Sequence, residues 1–161
     1  SIGFEIADQL HWHAPTKIFV PIGNGTLMFG IWKAFKEMKT VGLISKLPQM
    51  IGVQASKCNP VFKAFQKNSI EIPVIKNPNT IATAIACGAP VDGLEALKAI
   101  EQSNGDCLQV SEKEIITARK ELALQGVFAE PSGAVSYAGF KQLKEKSHSI
   151  CIISGHGLKD A

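Results

Sequence analysis

Apolar and polar positions alternate along this chain with two different periods. Short, mostly apolar runs at residues 17–22, 49–55 and 106–110 predict buried strands. Longer stretches between them place apolar residues three and four positions apart, which predicts amphipathic helices. The predicted helices cover residues 3–11, 26–39, 60–66, 93–102, 112–125 and 131–146, and further strands are predicted at 127–129 and 149–153.

The predicted strands and helices follow one another in alternation. A helix between consecutive strands is the connection that neighbouring parallel strands require. The length fits one domain, spanning residues 1–161. The sequence therefore predicts an α/β fold: a three-layer sandwich with a mostly parallel sheet and helices on both faces.

Several predicted helix ends carry their own signals. Pro60 stands at a helix start, where proline is tolerated because the missing N–H would have no partner. Ser111 and Glu114 have the spacing of a capping box. Gly126 follows a helix at the position that favours a left-handed glycine. Residues 69–93, by contrast, show little periodicity.

Composition and charge narrow the classes of protein to which this chain can belong. The 161 residues are 45% hydrophobic and 19% charged, as in ordinary globular proteins. No run of about 18 apolar residues occurs, so no membrane span is predicted. The net charge is +3, but only Arg119 of the 17 basic residues is an arginine, and the lysines are scattered. We therefore expect no nucleic-acid-binding face.

Neither the cysteines nor the histidines form a pattern typical of a metal site. His11 and His13 are two residues apart and have no third ligand nearby. The cysteines lie far apart, in or beside apolar stretches, which predicts buried reduced thiols and a cytoplasmic location. We expect no metal. The four cysteines are Cys58, Cys87, Cys107 and Cys151.

A glycine-containing loop joins the first predicted strand to the second predicted helix. Its residues are Gly23, Asn24, Gly25 and Thr26. Glycines let main-chain N–H groups approach an anion closely, and a helix N-terminus adds unpaired donors and partial positive charge. The loop matches neither G-x-G-x-x-G nor the P-loop pattern. It is therefore either a phosphate-binding loop or a plain tight turn.

Two further segments follow predicted strands. In Ser154-Gly155-His156, the Ser154 hydroxyl can donate to or accept from a ligand ring atom, and His156 is either a base or a hydrogen-bonded structural residue. Glu130 and Ser132 flank Pro131 at a helix start. The small residues there allow close approach of a ligand or of another backbone segment, although simple helix capping is the alternative.

These segments, in this order, resemble the fold type II pyridoxal-phosphate enzymes of the tryptophan-synthase β type. Within that family the chain is most similar to threonine synthases. The resemblance runs over essentially the whole chain, and its most specific parts are GNGT and SGHGLKD. It is carried by PIGNGTLMFGIWKAFKEMKTVGLI, LPQMIGVQASKCNPVFKAF, TIATAIACGAPV, VFAEPSGAVSYAGF and IISGHGLKD.

The resemblance implies a cofactor, pyridoxal 5'-phosphate, and roles for particular residues. It implies that Gly23, Asn24, Gly25 and Thr26 hold the cofactor phosphate, and that Ser154 hydrogen-bonds the pyridine nitrogen. Glu130, Ser132 and His156 are implied as residues that line the site. It further implies the conversion of O-phosphohomoserine, a small-molecule substrate, and water into threonine and phosphate, by a homo-oligomer.

The sequence departs from the family in one respect that bears on activity. The family's Schiff-base lysine lies in an upstream Ser-x-Lys-Asp-like segment that these residues lack, and Lys159 belongs to the different GHGLKD motif. We therefore expect the chain to be the C-terminal, cofactor-binding part of a longer enzyme. Alone it should have no turnover and should expose an apolar sheet edge that favours self-association.

Two alternatives remain open from sequence. One is another fold type II enzyme, such as a threonine dehydratase or a cysteine synthase. The other is a non-catalytic α/β module that binds a phosphate-containing ligand or a protein. Phosphate release from O-phosphohomoserine by the complete enzyme distinguishes a threonine synthase from the first alternative.

Overall fold

The structure, a computed structural model, describes residues 1–144 and 147–160. The strands are β1 (Lys17–Pro21), β2 (Gln49–Ala55), β3 (Asp106–Val110) and β4 (Ser149–Cys151). The helices are α1 (Ile2–Gln9), α2 (Thr26–Thr40), α3 (Pro60–Gln66), α4 (Gly93–Gln102), α5 (Glu112–Leu124) and α6 (Pro131–Gln142), with 3₁₀ turns at Thr83–Ile85 and Gly157–Asp160.

These strands form one sheet in the order β3-β2-β1-β4, and every neighbouring pair is parallel. In the central strand β1, Phe19 lies opposite Ile51 on one side and Cys151 on the other. Because the strands are parallel, all of their carboxyl ends lie at one edge of the sheet. Ligands bind at that edge in open α/β folds.

The sheet separates two hydrophobic layers, because successive strand residues point to opposite faces. On one face, Ile18 and Val20 pack with buried residues of α1, α2, α3 and α4. On the other, Phe19 and Val53 pack with buried residues of α5 and α6. The predicted three-layer α/β sandwich is confirmed.

The predicted capping signals are present in the structure. The Ser111 hydroxyl accepts from the Glu114 N–H, and the Glu114 carboxylate accepts from the Ser111 N–H at 2.7 Å. Gly126 has a φ of 83° and follows α5 at the predicted position. Pro60 begins α3 as expected.

Several predicted boundaries are wrong. Helix α1 ends at Gln9 rather than at residue 11, because His11 already has a positive φ of 50°. Residues 127–129 form no strand: the Val127 N–H bonds the carbonyl of Leu122, and Ala129 makes only an isolated bridge to His156. Helix α6 ends at Gln142 rather than at 146, since Leu143 is already extended with a ψ of 136°. Residues 145 and 146 lie outside the described part of the chain. Strand β4 ends at 151 rather than 153.

The cysteines differ in burial. Cys58 and Cys107 are buried as predicted, whereas Cys87 and Cys151 are only partly buried, and all four are free. Burial raises the pKa of Cys151 to about 12, so this thiol stays protonated at neutral pH. Over residues 1–144 and 147–160, no cluster of three or more His, Cys, Asp or Glu could hold a metal. Within the same residues, no helix is both long and apolar enough to span a membrane.

Gly30 lies on the exposed face of α2, and an added Cβ there would meet no atom within 4 Å. Alanine loses less backbone entropy than glycine when a helix forms. We expect Gly30→Ala to raise the free energy of unfolding by roughly 0.5–1 kcal/mol. Urea denaturation measures this change, and a loss of stability would contradict the open space around Gly30.

Candidate functional site

A cleft of about 330 Å³ opens at the carboxyl ends of β1 and β4. It brings together four segments that are far apart in sequence: the loop after β1, the 3₁₀ turn containing Ala84 and Ile85, the start of α6 and the residues that follow β4. The residues that line it include Gly23, Asn24, Gly25, Thr26, Glu130, Ser132, Ser154 and Lys159. The glycine-containing loop and Ser154, predicted separately, therefore share one cavity.

Residues 23–26 form a sharp turn between β1 and α2. The Ile22 N–H still pairs with the neighbouring strand, at 2.9 Å from the carbonyl oxygen of Val53. Gly25, the N-cap of α2, has a φ of 99° in the left-handed region that favours glycine. A Cβ at this position would also collide with the carbonyl oxygen of Asp92. Glycine is therefore required at residue 25 for two independent reasons.

The loop, which lines the cleft, has several unpaired main-chain donors. Among the described residues, no acceptor receives the N–H groups of residues 23–27. Two of these groups belong to the first turn of α2, where the helix dipole adds partial positive charge. Unpaired donors of this kind fit a phosphate group.

Two residues that the sequence did not assign to the site hold this loop. The Asp92 N–H donates to the Asn24 carbonyl oxygen at 2.9 Å, and the Asp92 carboxylate accepts from the Thr26 hydroxyl at 2.5 Å. The Cys87 thiol donates to the Asn24 side-chain oxygen at 3.0 Å. Asp92 and Cys87 are more than 60 residues away along the chain, so no local pattern could have identified them.

Ser154 lines the same cleft from the segment that follows β4. The chain that leads to it stays attached to the sheet beyond β4, because the Ile152 N–H donates to the carbonyl oxygen of Phe19 at 2.9 Å. The Ser136 hydroxyl in turn donates to the Ile152 carbonyl oxygen at 2.8 Å. Ser154 is an exposed residue, and its hydroxyl makes no hydrogen bond within the described residues. It is free to bond a polar ligand atom.

Glu130 is a buried carboxylate that anchors the C-terminal turn. Its side chain is 5% exposed and lies 3.5 Å from the Lys159 ammonium, measured from Oε2 to Nζ. Its main-chain N–H donates to the Gly155 carbonyl oxygen at 3.0 Å. The 3₁₀ turn at Gly157–Asp160 thereby brings Lys159 back to the cleft that Ser154 lines.

Ser132 shapes the wall of the cleft. It is 1% exposed, and its hydroxyl accepts from the Ala84 N–H at 3.1 Å, which fixes the segment containing Ala84 and Ile85 beside the cleft. A Cβ at Gly133 would lie 3.2 Å from the main chain of Gly155. The small residues at the start of α6 therefore admit another backbone segment, one of the two predicted uses.

His156 does not line this cleft. It borders a neighbouring cavity of about 410 Å³, where its ring meets Phe128 edge-on at 5.5 Å between centroids. Its Nδ1 lies 3.3 Å from the Leu158 N–H. These contacts give His156 a structural position in the turn that carries Lys159.

Comparisons with a family profile and with known sequences agree on one family. The profile of the pyridoxal-phosphate dependent enzyme family matches residues 1–155. The chain is 46% identical to a threonine synthase of Methanocaldococcus jannaschii and 41% identical to one of Methanosarcina acetivorans. Both alignments cover 99% of this chain but only 41% of the relative, so the chain spans about two fifths of their length.

A solved structure agrees on the fold. A fungal L-serine ammonia-lyase from Rhizomucor miehei superimposes with a TM-score of 0.78 over 96% of this chain and 50% of the enzyme, at 19% identity. At that identity the likeness concerns architecture and does not distinguish between reactions. With the profile match over nearly the whole chain, these comparisons show that the chain belongs to the family of pyridoxal-phosphate dependent enzymes.

Proposed function

We propose that this chain forms the cofactor-binding part of a lyase of the threonine-synthase type. The substrates would be O-phosphohomoserine and water, and the products threonine and phosphate. The observation that carries the proposal is the cleft that residues 23–27, whose main-chain N–H groups have no acceptor among the described residues, line together with Ser154. The 46% identity to a threonine synthase supports this choice of reaction.

The proposed roles follow from the donors and acceptors present. Residues Gly23–Thr26 bind the cofactor phosphate through main-chain N–H groups, and Ser154 bonds the pyridine nitrogen. When bound, pyridoxal phosphate supplies an electron sink for reactions at the amino-acid carbons. A serine hydroxyl is neutral, so Ser154 holds the ring nitrogen without adding the negative charge that a carboxylate would bring.

The remaining wall residues shape the cavity. Ser132 fixes the wall containing Ala84 through its hydroxyl. The charge of Glu130 is balanced by Lys159, so the pair adds little net charge to the cleft. His156, outside this cleft, supports the turn that carries Lys159.

We propose that these residues do not include the lysine that would form the Schiff base, so turnover requires a lysine from elsewhere. We place the enzyme in the cytoplasm as a homo-oligomer. The unpaired edge of strand β4 supports self-association, because its only strand partner among the described residues is β1.

A chimera tests the proposed reaction. The segment of the Methanocaldococcus jannaschii threonine synthase that aligns with this chain is replaced by residues 1–161, since the two are 46% identical. We expect the chimera to release phosphate from O-phosphohomoserine and to form threonine. The Ser154→Ala chimera is the matched control, and its circular dichroism should equal that of the parent chimera.

The outcomes separate the candidate reactions. Threonine with equimolar phosphate supports the proposal. Keto acid and ammonia formed from threonine, without phosphate release from O-phosphohomoserine, would instead support a dehydratase. A folded chimera that binds no pyridoxal phosphate would contradict the cofactor assignment.

A further inference from the structure

The carboxylate of Asp92 makes a short contact with the proposed phosphate-binding loop. Its Oδ2 lies 2.5 Å from the Thr26 hydroxyl oxygen, the length of a charge-assisted O–H···O⁻ bond. Asp92 also supports the loop through its main chain, by donating to the Asn24 carbonyl oxygen at 2.9 Å. The side chain and the main chain of residue 92 therefore contact the loop independently.

The contact between Thr26 and Asp92 removes a donor from the loop. A threonine hydroxyl carries one proton, and here that proton is donated to Asp92. Toward the cleft, which Thr26 lines, the hydroxyl oxygen can then only accept. A phosphate oxygen gains no hydrogen bond from Thr26 unless the bond to Asp92 breaks first.

The carboxylate also places negative charge beside the loop. In the described part of the chain, Asp92 forms no ion pair with a basic side chain. The charged residues that line the cleft itself, Glu130 and Lys159, are paired with each other. The charge of Asp92 is therefore not balanced by a neighbouring cation, and it repels a phosphate anion bound at residues 23–27.

We propose that Asp92 is an internal competitor for the ligand phosphate, which engages the Thr26 hydroxyl and limits the affinity of the loop. This inference rests on the proposed function of the loop as a phosphate site. Asp92 therefore opposes phosphate binding. Removing its carboxylate strengthens phosphate binding, because the repelling charge is lost and the Thr26 hydroxyl becomes a donor to the ligand. The main-chain support from residue 92 persists in any side-chain variant.

Four variants distinguish the effect of the Asp92 charge on phosphate binding from the effect of the Thr26 hydroxyl. Asp92→Asn removes the charge and keeps an acceptor for Thr26, whereas Asp92→Ala also frees the hydroxyl. Thr26→Val removes the hydroxyl, alone or combined with Asp92→Ala. Binding of inorganic phosphate is measured from the amide shifts of residues 23–27 in ¹⁵N-labelled protein at constant ionic strength. Glu101→Gln, on the exposed surface of α4, makes the same change of net charge away from the loop.

We expect phosphate to bind roughly threefold to fivefold more tightly to Asp92→Asn, the effect of one charge at short range in water. Asp92→Ala should gain roughly a further tenfold over Asp92→Asn, because a hydrogen bond to a charged group is added. Thr26→Val should leave the wild-type affinity unchanged but return Asp92→Ala to the level of Asp92→Asn. Glu101→Gln should match the wild type, and all variants should keep dispersed amide spectra.

If the wild type binds phosphate and Asp92→Ala binds it equally or more weakly, the proposed competition by Asp92 is contradicted, whereas the proposed phosphate site is not. Weaker binding in Thr26→Val alone would also overturn it, since the hydroxyl would then already serve the ligand. If phosphate shifted the amides of residues 23–27 in neither the wild type nor any variant, both the proposed competition and the proposed phosphate site would be contradicted.

Discussion

Gly25→Ala is expected to abolish phosphate binding by the loop and to lower the free energy of unfolding by roughly 2–3 kcal/mol. Gly25 has a φ of 99°, where an L-residue is strained. Its Cβ would also overlap the Asp92 carbonyl oxygen and lie 3.2 Å from the Cβ of Ala96. The start of α2 must therefore move away from α4, which turns the N–H donors of the loop from the cleft. Urea denaturation and phosphate titration measure the two effects.

Gly42→Ala is the matched control for this prediction. Gly42 also has a positive φ, 79°, but a Cβ there meets no atom within 4 Å. Its alanine variant should lose only the conformational term of roughly 1–2 kcal/mol and should keep phosphate binding. A Gly25→Ala protein that bound phosphate with wild-type affinity would contradict the structure of the loop.

Gly155→Ala is expected to displace Ser154 and to lower the free energy of unfolding by roughly 1–3 kcal/mol. An added Cβ would overlap the carboxylate of Glu130, which is buried and has little room to move. The Glu130 side chain or the main chain of residue 155 must shift, and this disturbs the ion pair with Lys159. Affinity for pyridoxal phosphate should fall at least severalfold, while affinity for inorganic phosphate, which reaches only the loop, should stay.

A second substitution tests the cause of that effect. In Gly155→Ala with Glu130→Ala, the overlapping carboxylate is gone, so the combined loss of stability should be smaller than the sum of the two single losses. Additive losses would show that residue 155 and Glu130 do not collide. The ratio of pyridoxal-phosphate to phosphate affinity reports the position of Ser154 separately from stability.

The fold could be predicted largely from local patterns. Strand β2, helix α4 and strand β3 begin and end where the apolar periods place them, because each is a complete amphipathic or buried unit bounded by turn residues. The capping box at Ser111 is equally local. The errors arose where contacts made in the folded chain decide the structure. Residues 127–129 are apolar enough for a strand, but the Val127 N–H bonds the Leu122 carbonyl oxygen at the end of α5 and Ala129 makes only an isolated bridge. Leu143 leaves α6 in an extended conformation.

The candidate site was less accessible from sequence. Glycine spacing and strand ends identified Gly23–Thr26 and Ser154, since those signals are local. The role of Asp92 depends on a contact across 66 residues, and that of Lys159 depends on a turn that pairs it with Glu130. Such contacts produce no periodic pattern in the sequence, so they could be found only in the folded structure.

The central claim is that one cleft binds both the phosphate and the ring of pyridoxal phosphate. Its most direct test is a titration of the ¹⁵N-labelled wild-type chain with pyridoxal phosphate, with pyridoxal and inorganic phosphate as comparisons. The account predicts that pyridoxal phosphate shifts the amides of residues 23–27 and of Ser154 together, with a single affinity, and binds more tightly than either comparison ligand. Shifts confined to surface lysines, or equal affinity for pyridoxal and pyridoxal phosphate, would contradict it.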